Sequence, residues 1–217
     1  MLATLIDVET TGLDPDTHEV IEVAAILYSV EHKAVLQQVS TLLPVASNGA
    51  EDVNGIKAEW AELVPGRAKD MAYELVGEMM SESAYLVAFN SDFDRQWFPG
   101  WDDWSDAAAI RYPRPSNSRS LVALCVAHGI PVVSAHRALD DCRLLAELLG
   151  KVPDLDGELA RAARPRVLMR AIVGYENRAM ASNAGFVWDL LVPRAWAKRM
   201  PREDIGELPF DVVEVVS

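Results

Sequence analysis

The chain has 217 residues, of which half are hydrophobic and 24% are charged. This composition excludes a disordered chain and suits one medium-sized domain with a small appendage. No apolar run approaches the roughly 18–20 residues of a membrane span, so a membrane partner is not expected.

The net charge of −13 argues at first against a nucleic-acid partner, but the charges are unevenly distributed. Residues 1–160 hold 11 Lys/Arg against 26 Asp/Glu, whereas residues 161–202 hold nine basic residues against two acidic ones. The basic segment is suited to phosphate contacts. The same basic residues are equally compatible with a solvated surface, or with a surface whose charge neutralises the acidic residues of 1–160. The sequence leaves these alternatives open.

The two cysteines, Cys125 and Cys142, fall within predicted helices and show no zinc-site spacing. Buried free thiols are typical of a reducing compartment. The first candidate ligand is already residue 7, which argues against a signal peptide. We therefore expect a cytoplasmic protein.

Hydrophobic periodicity predicts an N-terminal strand, a hairpin, and then alternating helices and strands. The predicted strands cover 3–8, 20–30, 33–43, 85–90 and 101–107, and the predicted helices cover 57–64, 69–81, 118–128 and 137–149. An early antiparallel hairpin followed by this alternation indicates an α/β domain with a mixed sheet.

A change in pattern after Gly150 indicates a domain boundary. We predict a first domain over 1–152 and a linker over 153–164. A small C-terminal α+β module over 165–217 follows, basic and aromatic and with an acidic tail. Its Trp188 and Trp196 either stack on nucleic-acid bases or form its core, and the core is the favoured interpretation for Trp188.

Two carboxylates interrupt the first strand, and they occupy alternate positions. Asp7 and Glu9 are therefore expected to project side by side from one face. Two bare carboxylates this close repel each other, and a hard divalent cation relieves that repulsion. The alternative is a strand end that exposes two acids to water.

Two further places offer acids: Asp94 after the strand over 85–90, and Asp141 in the last helix of the domain. His136 lies five residues before Asp141, about 500° along a helix, so we place it on the loop that enters the helix and Asp141 in its second turn. Four carboxylates predict two Mg²⁺ ions about 3.5–4 Å apart, one generating hydroxide and one stabilising the leaving 3′-oxygen. His136 is suited to take the proton of the attacking water.

Three segments resemble the motifs of one enzyme family. Residues 7–12 (Asp-Val-Glu-Thr-Thr-Gly), 89–94 (Phe-Asn-Ser-Asp-Phe-Asp) and 136–141 (His-Arg-Ala-Leu-Asp-Asp) are similar to the three motifs of the DEDDh branch of the DnaQ-like 3′→5′ exonucleases. Within that family, the chain most resembles bacterial and phage proteins of the exonuclease X type. Phe89 departs from the pattern, since the family usually has His there, at a position that is not a metal ligand.

The resemblance implies a ribonuclease H-like fold with a mixed five-stranded sheet flanked by helices. It also implies Asp7, Glu9, Asp94 and Asp141 as metal ligands for two Mg²⁺ ions, for which Mn²⁺ substitutes, and His136 as general base. The residues implied beside the terminal nucleotide are Thr10, Thr11, Leu13 and Asn90.

The implied reaction is hydrolysis from the 3′ end of DNA with release of nucleoside 5′-monophosphates. Two alternatives stay open: an exoribonuclease of the oligoribonuclease or ribonuclease T type, and a proofreading or docking subunit that acts with a polymerase partner. The implied partners are nucleic-acid 3′ ends and, beyond these, a second copy of the chain or a replication protein.

Overall fold

The computed structural model describes residues 1–114, 116, 118, 120–134 and 136–215. The chain divides into two compact units, Met1–Ala163 and Arg164–Ser217. Across the described ranges, the structure contains no helix long and apolar enough to cross a membrane.

The described part of the first unit contains a five-stranded mixed sheet, as predicted, in the order β3-β2-β1-β4-β5. Its strands are Leu2–Thr10 (β1), Val20–Ser29 (β2), Ala34–Leu42 (β3), Tyr85–Ala88 (β4) and Trp104–Asp106 (β5). β1, β2 and β3 pair antiparallel, whereas β1, β4 and β5 pair parallel. β1 is therefore the central strand, flanked by an antiparallel neighbour on one side and a parallel one on the other.

Helices pack on both faces of this sheet. The helices described in this unit are Glu51–Asn54 (α1), Ala58–Glu62 (α2), Ala68–Ser81 (α3), Ser91–Asp94 (α4), Leu121–Ala127 (α5), Ala138–Leu149 (α6) and Leu155–Ala162 (α7), with 3₁₀ turns at Arg95–Trp97 and Ala107–Ala109. Cys125 and Cys142 are both free and buried in the helices α5 and α6.

Alternation along β1 decides what each face of the sheet carries. Ala3 and Leu5 are fully buried in the core that contains α5, α6 and α7. Ile6 and Val8 are buried on the opposite side, in the core that contains α3. Because successive side chains of a strand point to opposite faces, the odd-numbered residues of β1 face α6. This assignment places Asp7 and Glu9 on the α6 side.

The predicted linker over 153–164 is instead a structural part of the first unit. It holds α7, which begins after Asp154, whose carboxylate accepts from the N–H of Gly157 at 3.1 Å. Leu155 and Leu159 lie four residues apart on the buried face of α7, at 2% and 0% exposure. The turn-forming residues around 154–157 suggested a linker, but they are a helix cap. The first unit ends at Ala163 rather than at residue 152.

The second unit contains a four-stranded sheet in the order β7-β8-β6-β9. Its strands are Arg166–Ala171 (β6), Val187–Trp188 (β7), Trp196–Pro201 (β8) and Val212–Glu214 (β9), with one helix over Arg178–Asn183 (α8) and 3₁₀ turns at Tyr175–Asn177 and Arg202–Glu207. The described strands pair antiparallel. A small core forms on one face of this sheet from Met169, Ala181, Phe186 and Met200.

We expect Leu159→Ala to lower the free energy of unfolding by about 2–5 kcal/mol, because the fully buried side chain leaves a cavity. Leu63→Ala is the matched control: Leu63 is 82% exposed, and its loss should change stability by less than about 0.5 kcal/mol. Urea unfolding followed by circular dichroism measures both. Equal effects of the two substitutions would show that 153–164 contributes no core.

Candidate metal and catalytic site

Three carboxylates converge where β1 meets the start of α6. Asp7 and Glu9 continue the α6-facing side of β1, and Asp141 is the fourth residue of α6. One carboxylate oxygen from each of the three lies within 4.8 Å of the others. The strand alternation and the position of Asp141 at the N-terminal end of α6 together produce this cluster.

Asp94 reaches the same edge of the sheet from the parallel neighbour of β1. It is the last residue of α4, which follows β4, and it is 3% exposed. Its Oδ1 accepts a hydrogen bond from the N–H of Val8 at 3.2 Å. Val8 lies between Asp7 and Glu9, so this bond brings the Asp94 carboxylate to the strand that carries both. The carboxyl ends of parallel strands are a common place for binding sites.

His136 lies two residues before α6, on the entering loop, as the spacing to Asp141 required. Its backbone adopts φ = 64°, in the left-handed region that non-glycine residues adopt infrequently. Its N–H donates to Asp141 Oδ2 at 3.2 Å, and its side chain is exposed. The Asp141 carboxylate therefore holds the loop on which the imidazole is displayed.

The carboxylates of this site hold protons more tightly than ordinary acids. Burial, and then repulsion by Asp94, Asp141 and Glu9, raises the pKa of Asp7 well above its usual value. Burial and the nearby Asp141 raise the pKa of Glu9 to about 7. Burial raises the pKa of Asp94 to about 7, against the opposing effect of the Val8 hydrogen bond. Burial also raises the pKa of Asp141, although the N–H and the imidazole of His136 act in the opposite direction.

This donor set fits a hard divalent cation. The ligand atoms are carboxylate oxygens, which Mg²⁺ and Mn²⁺ prefer. Burial first, and then repulsion by neighbouring acids, raises the pKa values of Asp7, Glu9, Asp94 and Asp141, so the ionised carboxylates are costly at this site. A bound cation supplies the opposite charge.

Glu22 is a buried acid that supports the site from the neighbouring strand β2. Glu22 is 2% exposed, and on β2 it pairs in register with Glu9 of β1. Its carboxylate accepts two hydrogen bonds from Arg137, both at 2.9 Å, and one from the N–H of Ala138 at 3.1 Å. These bonds hold the loop of His136 and the first turn of α6 against the sheet. In return, the Glu22 carboxylate raises the pKa of Arg137.

The loop after β1 is fixed by its own polar groups. The Thr10 hydroxyl donates to the Gly12 carbonyl at 2.6 Å, and the Thr11 hydroxyl accepts from the N–H of Glu19 at 3.0 Å. Both threonines are buried, at 6% and 7% exposure, whereas Leu13 is 80% exposed. Of these three predicted substrate-contacting residues, Leu13 offers an open side chain, and the threonine hydroxyls shape the loop.

Two further residues are required for that loop. A Cβ at Gly12 would lie 2.1 Å from the His18 ring, so a larger residue at this position would require the imidazole to move. The buried amide of Asn54 donates to the Thr10 carbonyl at 3.2 Å. This partner lies 44 residues from Asn54 along the chain, so only the folded structure reveals the contact.

Asn90 lies between β4 and α4, at the N-cap position of α4. Its φ is 64°, and its side chain is exposed. Its N–H donates to Asp106 Oδ1 at 3.1 Å. Phe89, at the position where the resembled family usually has His, is half-buried and packs against the core beneath α5 and α6.

The sequence matches one family model and is similar to a DNA polymerase. A family model described as "Domain of unknown function (DUF8626)" matches residues 167–215. The PolC-type DNA polymerase III of Thermotoga petrophila is 28% identical over 160 residues, which cover 66% of this chain and 11% of that protein. The chain therefore spans about a tenth of the length of this curated relative.

Among solved structures, exonuclease X in complex with 5′ overhanging duplex DNA superposes with a TM-score of 0.58 at 23% identity, over 74% of this chain and 97% of that one. The nuclease domain of 3′hExo, a DEDDh family member bound to rAMP, superposes with a TM-score of 0.55 at 15% identity, over 68% and 88%. These similarities confirm the predicted ribonuclease H-like fold and the resemblance to DEDDh exonucleases.

The raised pKa values make metal-free stability fall as pH rises. Glu9 and Asp94 have a pKa of about 7 in the folded chain, against roughly 4 in an unfolded chain, so between these values the folded state binds more protons. In EDTA, we expect Asp94→Asn to raise Tm more at pH 8 than at pH 5. Added Mn²⁺ should stabilise the wild-type chain more at pH 8.

Asp92→Asn is the matched control, because Asp92 is an exposed acid of the same motif, paired with Arg95 at 3.0 Å. It should leave the pH dependence of Tm unchanged. Differential scanning fluorimetry measures all three chains. A gain from Asp94→Asn that is equal at both pH values would contradict the repulsion described above.

We expect Glu22→Gln to lower the free energy of unfolding by roughly 1–3 kcal/mol, because a buried charge-assisted hydrogen-bond set is broken. It should also weaken Mn²⁺ binding, because α6 and its Asp141 lose their attachment to β2. Asp140→Asn removes an exposed pair with Arg143 at 3.6 Å and should change stability by less than about 0.5 kcal/mol. Urea unfolding and calorimetric Mn²⁺ titration separate the two variants.

Proposed function

We propose that this chain is a metal-dependent 3′→5′ exonuclease that hydrolyses phosphodiester bonds from the 3′ end of DNA and releases nucleoside 5′-monophosphates. The observation that carries the proposal is the convergence of Asp7, Glu9 and Asp141 within 4.8 Å. Asp94 and the loop of His136 complete the cluster through the hydrogen bonds to Val8 and Asp141. The similarity to DEDDh exonucleases supports the same reaction class.

The four carboxylates are proposed to hold two divalent ions, Mg²⁺ in the first place and Mn²⁺ as a substitute. When bound, such ions lower the pKa of water and stabilise negative charge on a phosphoryl group and its leaving oxygen. Asp7 and Glu9 supply ligands from a rigid central strand, and Asp141 supplies one from the first turn of α6. Positions on packed elements restrict the movement of the ligands.

His136 is proposed as the general base that takes the proton of the attacking water. Its imidazole is exposed and lies where the loop enters α6, a point held by Asp141 through the His136 N–H and by Glu22 through Arg137. It is therefore accessible to a water molecule at the cleft without being a member of the ligand cluster. Histidine is the side chain that most often serves as a general base in enzymes.

The terminal nucleotide is proposed to lie beside the loop after β1. Leu13 projects from it with 80% exposure and is suited to pack on a base or sugar. Thr10 and Thr11 hold that loop in shape, and Asn90 precedes α4, the short helix that carries Asp94. The similarity to exonuclease X, whose structure is described with 5′ overhanging duplex DNA, supports DNA as the polymer.

Two related functions have specific support. The 3′hExo nuclease domain is described with rAMP, which favours RNA as a second candidate substrate. The match to a PolC-type DNA polymerase III favours a role beside a polymerase. Hydrolysis of free DNA ends by the purified chain, without any partner, would favour an independent nuclease over a subunit whose main role is docking.

We expect Asp7→Asn and Asp141→Asn each to lower kcat by about 10³-fold or more, since each removes a ligand whose cation contributes several kcal/mol to the transition state. His136→Ala should lower kcat by about 10²–10⁴-fold and leave Mn²⁺ affinity unchanged. Asp92→Asn is the control and should be fully active. Oligonucleotides labelled at the 5′ end report turnover, and calorimetry reports Mn²⁺ binding.

The polymer is tested with matched single-stranded and duplex DNA and RNA oligonucleotides, each blocked at the 3′ end, at the 5′ end or at neither. We expect degradation of DNA that a 3′ block abolishes and a 5′ block does not. Faster degradation of RNA would favour the exoribonuclease. Near-native turnover by Asp7→Asn or Asp141→Asn would overturn the proposed metal-dependent mechanism.

A further inference from the structure

The second unit carries an aromatic groove that its fold does not require. The groove has a volume of about 570 Å³ and is lined by Val173, Gly174, Tyr175, Arg178, Trp188 and Trp196. Its lining residues come from the chain after β6, from α8 and from the β7–β8 hairpin. All of them fall within the residues matched by the domain of unknown function.

The hairpin positions two tryptophans side by side. Trp188 on β7 pairs in register with Trp196 on β8, and their ring centroids are 5.8 Å apart at an interplanar angle of 57°. Trp188 is 53% exposed, whereas Trp196 is half-buried against the small core. The favoured prediction that Trp188 forms core is therefore wrong, because Phe186 and Phe210, with ring centroids 5.4 Å apart, pack at that core instead.

The Arg178 guanidinium and the Tyr175 ring form the other polar and aromatic parts of the groove lining. The Arg178 guanidinium lies 3.9 Å from the centre of the Tyr175 ring and donates to the Tyr175 carbonyl at 2.8 Å. Tyr175 is nevertheless 79% exposed. Stacking of this kind holds an arginine in place at low entropic cost while its charge stays accessible to an anion.

The net charge of the second unit is more favourable for binding a polyanion than the net charge of the first unit. Residues 164–217 hold eight Lys/Arg against seven Asp/Glu, whereas residues 1–163 hold 12 against 26. Exposed rings with accessible faces stack on nucleobases, and a neighbouring arginine contacts phosphate. Bases of a duplex are already stacked on one another, so the rings select unpaired bases.

We propose that this groove binds single-stranded DNA, with bases stacked on Trp188 and Tyr175 and a phosphate at Arg178. The inference rests on the proposed function for the identity of the strand, which is the one whose 3′ end the first unit hydrolyses. It assigns to the C-terminal unit a second contact on the polymer, separate from the catalytic carboxylates.

The test is DNA binding by the full chain in EDTA, where metal-dependent turnover does not interfere. The probes are labelled oligothymidylates of about 20 nucleotides, longer than the roughly 4–16 that one small binding domain covers, and an abasic strand of equal length with the same phosphates. We expect Trp188→Ala to weaken binding of oligothymidylate about tenfold and binding of the abasic strand less than twofold. Fluorescence anisotropy measures both affinities.

Charge is tested by Arg178→Ala, which should weaken binding of both strands. It should also reduce the slope of log affinity against log salt by about 0.7, the value for one phosphate contact on a single strand. Val213→Ala is the control: Val213 is 44% exposed on β9 of the same unit, outside the groove lining, and its loss should change neither affinity. Trp188→Phe keeps a stacking ring and should restore most of the binding.

Unchanged oligothymidylate affinity in Trp188→Ala and Arg178→Ala would overturn the proposal and favour an apolar protein segment in the groove. Equal loss on the abasic strand in Trp188→Ala would overturn base stacking. Tighter binding of an RNA strand of the same sequence would overturn DNA as the ligand. A chain that binds as expected but hydrolyses no strand when Mg²⁺ is added would refute the proposed function and leave the groove assignment intact.

Discussion

Repulsion among half-buried carboxylates is the constraint that the first unit is built to withstand. Asp7, Glu9 and Asp141 present oxygens within 4.8 Å of one another, and the pKa of each is raised. Such a cluster destabilises a fold unless its supports are rigid. The central position of β1 and the packing of α6 on it provide that rigidity. The arrangement costs stability, and its oxygen donors fit a hard divalent cation.

The support closest to the cluster is itself ionic. Glu22 of β2 lies beside Glu9 of β1, yet its carboxylate is bonded to Arg137 and to the N–H of Ala138, the first residue of α6. A carboxylate at a helix N-terminus is favourable in its own right. One residue thus ties the strand layer to the helix that carries Asp141 and holds the neighbouring His136 loop in place. Metal ligands are commonly oriented by such surrounding contacts.

Local patterns predicted more of this protein than long-range ones. Alternation in β1 predicted that Asp7 and Glu9 share a face, and the spacing to Asp141 predicted His136 on a loop. The role of Glu22 could not be assigned from the sequence, because its partner Arg137 lies 115 residues away and only the folded chain brings the two side chains together. The helix α7 was missed because its cap resembles a linker. The exposure of Trp188 was missed because sequence does not reveal which aromatics fill a small core.

The buried face of α7 changes where this chain divides into parts. The helix lies after residue 152, where the sequence predicted the end of the first domain, but Leu155 and Leu159 complete the core under the sheet of the first unit. Recombination that exchanged the C-terminal part of the chain at residue 152 would remove α7 from the first unit. The apolar residues that α7 covers would then be exposed. A junction after Ala163 would keep α7 with the first unit and would transfer the β7–β8 hairpin intact. We therefore expect this position to accept a different C-terminal unit.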